Sequence, residues 1–146
     1  MKTTVVLTFL SLFISSVAFS QSDEDLIRHT IQNYFNGTAY SYLDQIESAF
    51  YSEATLYLEN TKGEMMKLSP AEYIAFFKKN EPGTFGGRYS KILSIEQEGN
   101  LAQVSAEILV PSRNRRYLDV FITRRMDDGR WLIVSKAANS APIKQE

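Results

Sequence analysis

Asp119 and Lys136 are the two residues in this sequence whose types and spacing point most clearly to chemistry. Asp119 interrupts the apolar run 117–122, where a lone carboxylate is costly to bury unless it is paired or protonated. If Asp128-Gly129 forms a two-residue hairpin turn, Lys136 lies diagonally across from Asp119 on the same sheet face. Two arrangements are then open. The side chains form a structural ion pair, at the sheet surface or in a dimer seam, or they form an acid–base or ligand-anchoring pair in a pocket.

Aromatic side chains are the second set of candidates, because they make up 12% of the chain. Such residues either fill an ordinary core or line a cavity suited to a flat, apolar ligand. Tyr34 also carries a hydroxyl group, and we consider it the polar partner of Asp119 in any catalytic role. The residues expected to contact a ligand are Tyr34, Tyr57, Tyr73, Phe77, Phe121, Val134 and Lys136.

Glu107 and His29 are weaker candidates. A two-residue turn at Gly99-Asn100 sets Ile92 opposite Glu107 and places Leu93 on the apolar face, which leaves Glu107 on a polar, solvated face. His29 lies nearly opposite the centre of the apolar stripe of its helix. We therefore expect both side chains to lie at the surface.

The composition excludes several classes of function. Sixteen basic and seventeen acidic side chains in 146 residues give a net charge of -1, so no overall field attracts nucleic acid. The arginines of residues 113–116 and 124–130 form two separate clusters, not one basic stripe. The chain has no Cys and a single His, which rules out thiolate chemistry and multi-histidine metal sites. We expect no nucleic-acid partner, no metal and no cofactor.

The N-terminal residues 1–20 have the pattern of a secretory signal peptide. Lys2 is followed by an apolar stretch and then by the small residues Ala18 and Ser20, which favours cleavage near Ser20/Gln21. The apolar stretch is shorter than the ~20 residues that a membrane span needs. The expected product is an exported, periplasmic or extracellular domain of residues 21–146 that no longer contacts the membrane.

Hydrophobic periodicity and turn residues predict an α+β domain with a mostly antiparallel sheet on three helices. Capping residues place one helix from Ser22-Asp23 to a stop at Gly37, a second from Ser41, and a third after Ser69-Pro70. Alternation and turns then predict strands near residues 54–60, 64–68, 88–98, 101–110, 116–126 and 130–138.

The hairpin formed by the last two predicted strands is apolar on both faces. One face is expected to hold Leu118, Val120, Ile122, Trp131 and Ile133, and the other Tyr117, Asp119, Phe121, Thr123, Leu132, Val134 and Lys136. A sheet with one face in water shows clean alternation, so both faces must be covered. We expect helices to cover one face, and a cavity, a partner subunit or both to cover the other.

The order and spacing of these elements resemble a known family over nearly all of residues 23–140. The stretches that carry the resemblance are Ile27-Arg28, Tyr34-Phe35-Asn36-Gly37, Ala49-Phe50, Ala54-Thr55-Leu56, Asp119-Val120-Phe121 and Gly129-Arg130-Trp131-Leu132. They are similar to the putative lumazine-binding branch of the NTF2-like (SnoaL-like) superfamily. The resemblance implies a cone-shaped fold with an internal cavity, a homodimer formed through the sheet, and export. Where relatives commonly carry His-Pro-Asp, this chain has Tyr51-Ser52-Glu53.

Ketosteroid isomerases of the same superfamily provide a comparison for catalysis. They place a Tyr on the first helix, a basic Asp on the first strand and a proton-donating Asp on a late strand. By this resemblance Tyr34 and Asp119 match two of the three positions, whereas Leu58 fills the third and Glu59 points to the opposite face.

Three hypotheses follow from the sequence. The first is a domain that binds a small apolar or aromatic molecule in an internal cavity. The second is a cofactor-independent isomerase, dehydratase or cyclase that uses Asp119 with Tyr34. The third is a structural or partner-binding dimer subunit.

Overall fold

Three α-helices, a short 3-10 helix (Pro111–Arg113) and one six-stranded sheet make up the regular structure of residues 21–60 and 62–144, the part of the chain that this computed structural model describes. The predicted signal peptide, residues 1–20, lies outside the described residues. The elements are α1 (Asp23–Tyr40), α2 (Leu43–Ala49), β1 (Phe50–Glu59), β2 (Met65–Leu68), α3 (Pro70–Ala75), β3 (Tyr89–Glu98), β4 (Leu101–Val110), β5 (Arg115–Arg125) and β6 (Trp131–Ala141). The predicted α+β order is confirmed.

The strands form an open, curved sheet in the order β2-β1-β6-β5-β4-β3. Neighbouring strands are antiparallel except β1 and β6, which run parallel and so bring the first strand beside the last. We call the face that packs on the helices the inner face, and the opposite one the outer face. The core between helices and inner face includes Ile27, Ile31 and Ile46 from the helices, and Leu56, Val104 and Phe121 from the strands.

Helix α1 begins as its sequence predicts but ends later. Ser22 caps it, accepting a hydrogen bond from the Asp25 backbone N–H at 3.1 Å. The predicted stop at Gly37 is wrong, because the helix continues to Tyr40. Gly37 is needed for close packing instead: a Cβ there would lie 2.5 Å from the Ile46 Cγ1 of α2. The left-handed residue that ends the helix is Ser41, at φ 56°.

The third helix confirms its capping motif. The Ser69 hydroxyl accepts from the backbone N–H of Glu72, and the Glu72 carboxylate accepts from the Ser69 backbone N–H at 2.7 Å. This capping box, with Pro70 at the first helical position, fixes where α3 begins and so places Tyr73 against the core. None of the helices among the described residues is long and apolar enough to cross a membrane.

A β-bulge at Val134 corrects the predicted faces of the β5–β6 hairpin. Thr123 pairs with Ile133 but Ile122 pairs with Ser135, so Val134 has no partner on β5. The turn is also not a two-residue one. The Met126 N–H bonds to the Arg130 carbonyl, which leaves a three-residue loop, 127–129, in which Gly129 has φ 85°.

The bulge reverses the faces of residues 131–134 relative to the prediction. Trp131 and Ile133 are on the inner face, at 2% and 0% exposure, whereas Leu132 and Val134 are not. Beyond the bulge the predicted register is confirmed, since Phe121 opposes Lys136 and Asp119 opposes Ala138. The extra residue thus lets the apolar start of β6 and its later Lys136 share one face.

A second bulge, at Leu93, corrects the β3–β4 register. The two-residue turn at Gly99-Asn100 is confirmed by the pair of Glu98 with Leu101. Ser94 pairs with Ser105 but Ile92 pairs with Ala106, so the predicted pair of Ile92 with Glu107 is wrong. Leu93, expected on the apolar face, is the unpaired bulge residue and is 47% exposed.

Candidate functional site

A cavity of about 540 Å³ lies between the inner face of the sheet and the helices. Its apolar walls include Leu58, Met66, Tyr73, Phe76, Phe77 and Tyr117, and its polar groups include Thr38, Asn80, Arg88, Asp119, Lys136 and Ser140. Exposed residues such as Phe76 and Asn80 mark its opening. The volume falls within the range of small-molecule sites in proteins, and aromatic walls with a few converging polar groups are their usual lining.

Asp119 and Lys136 form a buried ion pair in the wall of this cavity. They come from the neighbouring strands β5 and β6. Lys136 lies opposite Phe121, two residues from Asp119 along β5, and Asp119 lies opposite Ala138, so both side chains project from the inner face. Lys136 Nζ lies 3.0 Å from Asp119 Oδ2, and the two side chains are only 3% and 2% exposed. Of the two arrangements that the sequence left open, the pair therefore occupies the pocket and not the outer surface.

Two tyrosines extend the ion pair into a hydrogen-bonded cluster. The Tyr34 hydroxyl donates to Asp119 Oδ2 at 3.2 Å and lies 2.8 Å from the Tyr73 hydroxyl. Burial raises the pKa of the Tyr34 phenol well above its usual range, and the nearby Tyr73 and Asp119 raise it further. Tyr34 therefore keeps its proton and acts as a hydrogen-bond donor at neutral pH. Asp119 Oδ1 is buried and has no hydrogen-bond partner among the described residues.

Aromatic rings surround the ammonium group of the cluster. Lys136 Nζ lies 5.5 Å from the centroid of the Tyr73 ring, 5.6 Å from that of Tyr34 and 5.8 Å from that of Phe121. A cation over an aromatic face is attracted by the ring quadrupole, and this attraction grows where water is excluded. The rings and the Asp119 carboxylate together compensate the ammonium group for its lost hydration.

Arg88 is a second cation in the cavity, and no pattern in the sequence pointed to it. It follows Gly87, which has φ 73°, and directly precedes β3. Its Cζ lies 5.9 Å from the Tyr117 ring centroid, and its Nε is buried without a hydrogen-bond partner among the described residues. Burial lowers the pKa of Arg88, but Tyr73, Tyr34 and other neighbours raise it, and the net shift is upward. The guanidinium therefore stays charged.

Five of the seven residues predicted to contact a ligand line the cavity or lie directly behind its wall. Tyr73, Phe77 and Lys136 line the cavity, and Tyr34 lies directly behind them at 0% exposure, bonded to Tyr73. Phe121 is also fully buried and packs against the Tyr34 ring, with 5.0 Å between ring centroids. These residues form one contiguous cluster.

Tyr57 and Val134 lie away from the cavity. Tyr57 is 37% exposed, because Leu56 and Leu58 on either side of it take the inward positions of β1. Val134 is displaced by its bulge and borders a shallow outer concavity with Tyr51. Neither residue contributes to the cavity lining.

The weaker candidates lie outside the cavity. His29 is exposed, as predicted. Glu107, expected to be solvated, is instead covered on the outer face by two cations: Lys91 Nζ lies 2.8 Å from Oε1, and Arg116 Nε donates to Oε2. Hydrogen bonds from Lys91 and Arg116 lower the pKa of Glu107, although its partial burial opposes them. Within residues 21–60 and 62–144, no group of three or more metal-ligating side chains occurs.

Solved structures of similar fold define the class of protein. An NTF2-like protein of unknown function from Methylobacillus flagellatus superposes with a TM-score of 0.71 at 24% identity, covering 86% of this chain and 98% of its own. An NTF2-like protein of unknown function from Shewanella baltica gives 0.71 at 18% identity, covering 82% and 94%. One from Silicibacter pomeroyi gives 0.70 at 18% identity, covering 83% and 100%. The fold is therefore NTF2-like, as the sequence resemblance implied.

The family can be stated more narrowly. The model of the family described as "Putative lumazine-binding" matches residues 22–138, which is most of the chain. The chain belongs to this family. No curated protein matches the sequence.

Proposed function

We propose that this protein binds a small, mostly apolar or aromatic molecule in the cavity between its helices and its sheet. The observation that carries the proposal is a buried polar cluster, Tyr34, Tyr73, Asp119 and Lys136, set into the wall of an aromatic-lined space of about 540 Å³. Apolar walls supply binding energy through burial, and a few fixed polar groups supply orientation. The description of the family, which names lumazine, is consistent with a flat ring system as ligand.

Two neighbouring alanines of β6 allow a direct test. Ala138 lines the cavity, whereas Ala137 points to the outer face and is exposed. Ala138→Phe narrows the cavity and removes no polar group, and Ala137→Phe makes the same change outside it. We would screen flavins, pterins, sterols and aromatic acids by native mass spectrometry and thermal shift. A ligand of the cavity is expected to bind at least about tenfold more weakly to Ala138→Phe and equally well to Ala137→Phe.

The same screen can contradict the proposal in two ways. If no compound of the panel binds, the cavity has no demonstrated ligand of the proposed class. If a compound binds Ala137→Phe and Ala138→Phe with the same affinity as the unmodified protein, it binds outside the cavity. Thermal unfolding of each variant checks that the added ring has not unfolded the domain.

Catalysis is a second candidate function, and the free Asp119 Oδ1 is the observation that favours it. Oδ2 is held by Lys136 and Tyr34, so Oδ1 is the oxygen left to exchange a proton with a ligand. With such a carboxylate in place, an isomerase, dehydratase or cyclase reaction needs no cofactor. Against it, Leu58 occupies the position of the isomerase base, and Glu59, a second carboxylate that lines the cavity although the sequence placed it on the opposite face, is exposed. Mass spectrometry and NMR of each bound compound after incubation distinguish the two: a ligand recovered unchanged supports binding alone.

Export and self-association complete the proposal. The signal-like residues 1–20 support secretion, and N-terminal sequencing of periplasmic or culture fractions should find a chain beginning at Gln21. The outer face of β5 carries an apolar row, Leu118, Val120 and Ile122, which supports a homodimer formed through the sheet. Light scattering of the purified protein should give twice the mass of one chain, and Val120→Lys should reduce it to one.

A further inference from the structure

We propose that the ligand of this cavity is an aromatic or apolar monocarboxylic acid, and that Arg88 binds its carboxylate. This inference rests on the proposed binding function and names the chemical class of the ligand. The observation behind it is the Arg88 side chain, which lines the cavity and whose Nε is buried without a hydrogen-bond partner among the described residues. A charged donor buried without a partner is costly, so a partner is expected to come from outside the chain.

The charges around the cavity leave Arg88 in excess. Lys136 is neutralised by Asp119 at 3.0 Å. Glu59 and Arg113 also line the cavity, but both are exposed and carry opposite charges. The interior therefore holds one uncompensated positive charge. A single negative charge balances it, which favours a carboxylate over a doubly charged phosphate monoester.

Geometry also favours a planar anion. A guanidinium presents its N–H groups in a fixed fork that matches the two oxygens of a carboxylate, and Arg88 stacks near the face of Tyr117. Tyr73 and Phe77 provide apolar surface for the rest of the ligand in the same cavity. The free carboxylate oxygen Asp119 Oδ1 disfavours a second acid group beside the ion pair, because two carboxylates would repel there.

The segment that precedes Arg88 is anchored, so its position is defined before a ligand arrives. The Gly83 N–H donates to the Tyr40 carbonyl at 2.8 Å, and the Gly86 N–H donates to the Ala39 carbonyl at 2.7 Å. These bonds satisfy carbonyls at the C-terminal end of α1 and hold the loop against it. A preorganised cation loses less conformational entropy on binding than a mobile surface side chain.

Matched pairs of compounds test the inference on the purified protein. Benzoate, cinnamate and naphthoate would be compared with their amides, which keep the shape and remove the charge, by calorimetry in about 0.15 M NaCl. At least one acid is expected to bind about 10- to 100-fold more tightly than its amide, the usual range for hydrogen bonds to a charged group. Arg88→Gln should remove this preference, and Arg88→Lys should keep part of it.

Arg115→Gln is the matched control, because it removes one exposed arginine that does not line the cavity. It should leave the acid preference unchanged. Circular dichroism and thermal unfolding establish that each variant is folded. If Arg88→Gln does not fold, the comparison of acids with amides on the unmodified protein still decides the inference.

The possible outcomes separate this inference from the proposed function. Acids and amides that bind equally well would overturn the role of Arg88 and leave the binding function standing. The same conclusion would follow if compounds of the first panel bind but none of the three acids does. Naphthyl phosphate binding more tightly than naphthoate would overturn the assignment of a monocarboxylate. If no acid, amide or panel compound binds at all, the proposed function fails and the inference fails with it.

Discussion

Replacing Lys136 with methionine tests whether the buried ion pair behaves as the structure requires. Methionine has a similar length and shape but no charge, so Lys136→Met leaves the Asp119 carboxylate buried with only the Tyr34 hydroxyl as donor. Removing one partner of a buried ion pair costs about 3–5 kcal/mol, because an uncompensated charge stays behind. For a domain of this size that corresponds to a fall in Tm of roughly 10–20 °C.

Protonation of the stranded carboxyl limits this loss and makes it depend on pH. An ordinary aspartic acid releases its proton near pH 4, so holding the proton at pH 7 costs about 4 kcal/mol. Each unit of lower pH reduces that cost by about 1.4 kcal/mol. In the variant the folded state binds the proton and the unfolded state does not, so its stability rises as the pH falls. The difference in the free energy of unfolding between Lys136→Met and the unmodified protein should therefore become smaller from about pH 7 to about pH 5.

Urea unfolding of both proteins across this pH range provides the assay. Lys91→Met is the matched control, since Lys91 is 65% exposed in its ion pair with Glu107, and such pairs contribute about 0–1 kcal/mol. The double variant Lys136→Met/Asp119→Val removes both charges and should recover about 2 kcal/mol or more of the loss. A Lys136→Met protein as stable as the unmodified one, with no dependence on pH, would refute the reasoning.

Three further predictions concern stability. Gly37→Ala should destabilise the domain by about 1–3 kcal/mol in urea unfolding, because its Cβ would meet Ile46; unchanged stability would mean that the two helices can separate. Burial raises the pKa of Tyr34, so stability should fall as the pH rises above about 10, where only the unfolded state loses that proton. The stability of Tyr34→Phe should fall less steeply over the same pH range. The pKa of Glu107 is lowered by Lys91 and Arg116, so this stabilising contribution should be lost as the pH falls below about 4.5, and Glu107→Gln should show a shallower acid transition.

Local sequence rules were sufficient for the elements whose determinants are close in sequence. The capping box at Ser69 and the turn at Gly99-Asn100 depend on residues within a few positions of each other, and both are present as predicted. The diagonal placement of Asp119 and Lys136 was predicted as well, although the two-residue turn used to derive it is wrong. The longer loop and the bulge at Val134 each shift the register by one residue, and the two shifts cancel beyond the bulge.

The bulges could not be predicted from alternation alone, because they relieve conflicts that arise only when strands pack on helices. Strict alternation puts Trp131 and Ile133 on the face opposite Lys136. The tertiary structure needs all three on the inner face, and an extra unpaired residue is the local change that permits it. The large apolar residues at the start of β6 were a usable signal, since exposing a tryptophan there is unfavourable.

Arg88 was missed for a different reason. It stands alone between Gly87 and β3, outside both arginine clusters, and no periodic pattern includes it. Its environment depends on the loop folding back onto the end of α1 and on Tyr117, which is far along the chain. Contacts between such distant segments are set by the whole fold and leave no local signature in the sequence.

The placement of the buried charges supports a role in binding more than a role in stability. A buried ion pair can often be replaced by apolar side chains with no loss of stability, so stability alone does not explain why Asp119 and Lys136 are charged. Both line the cavity, as does Arg88, whereas the other buried polar side chains, Thr30, Thr38, Ser41 and Thr123, carry no charge. The charged groups thus occur where a ligand would meet them. The double variant should accordingly fold well and lose selectivity among ligands; a double variant that binds every ligand unchanged would assign the pair a purely structural role.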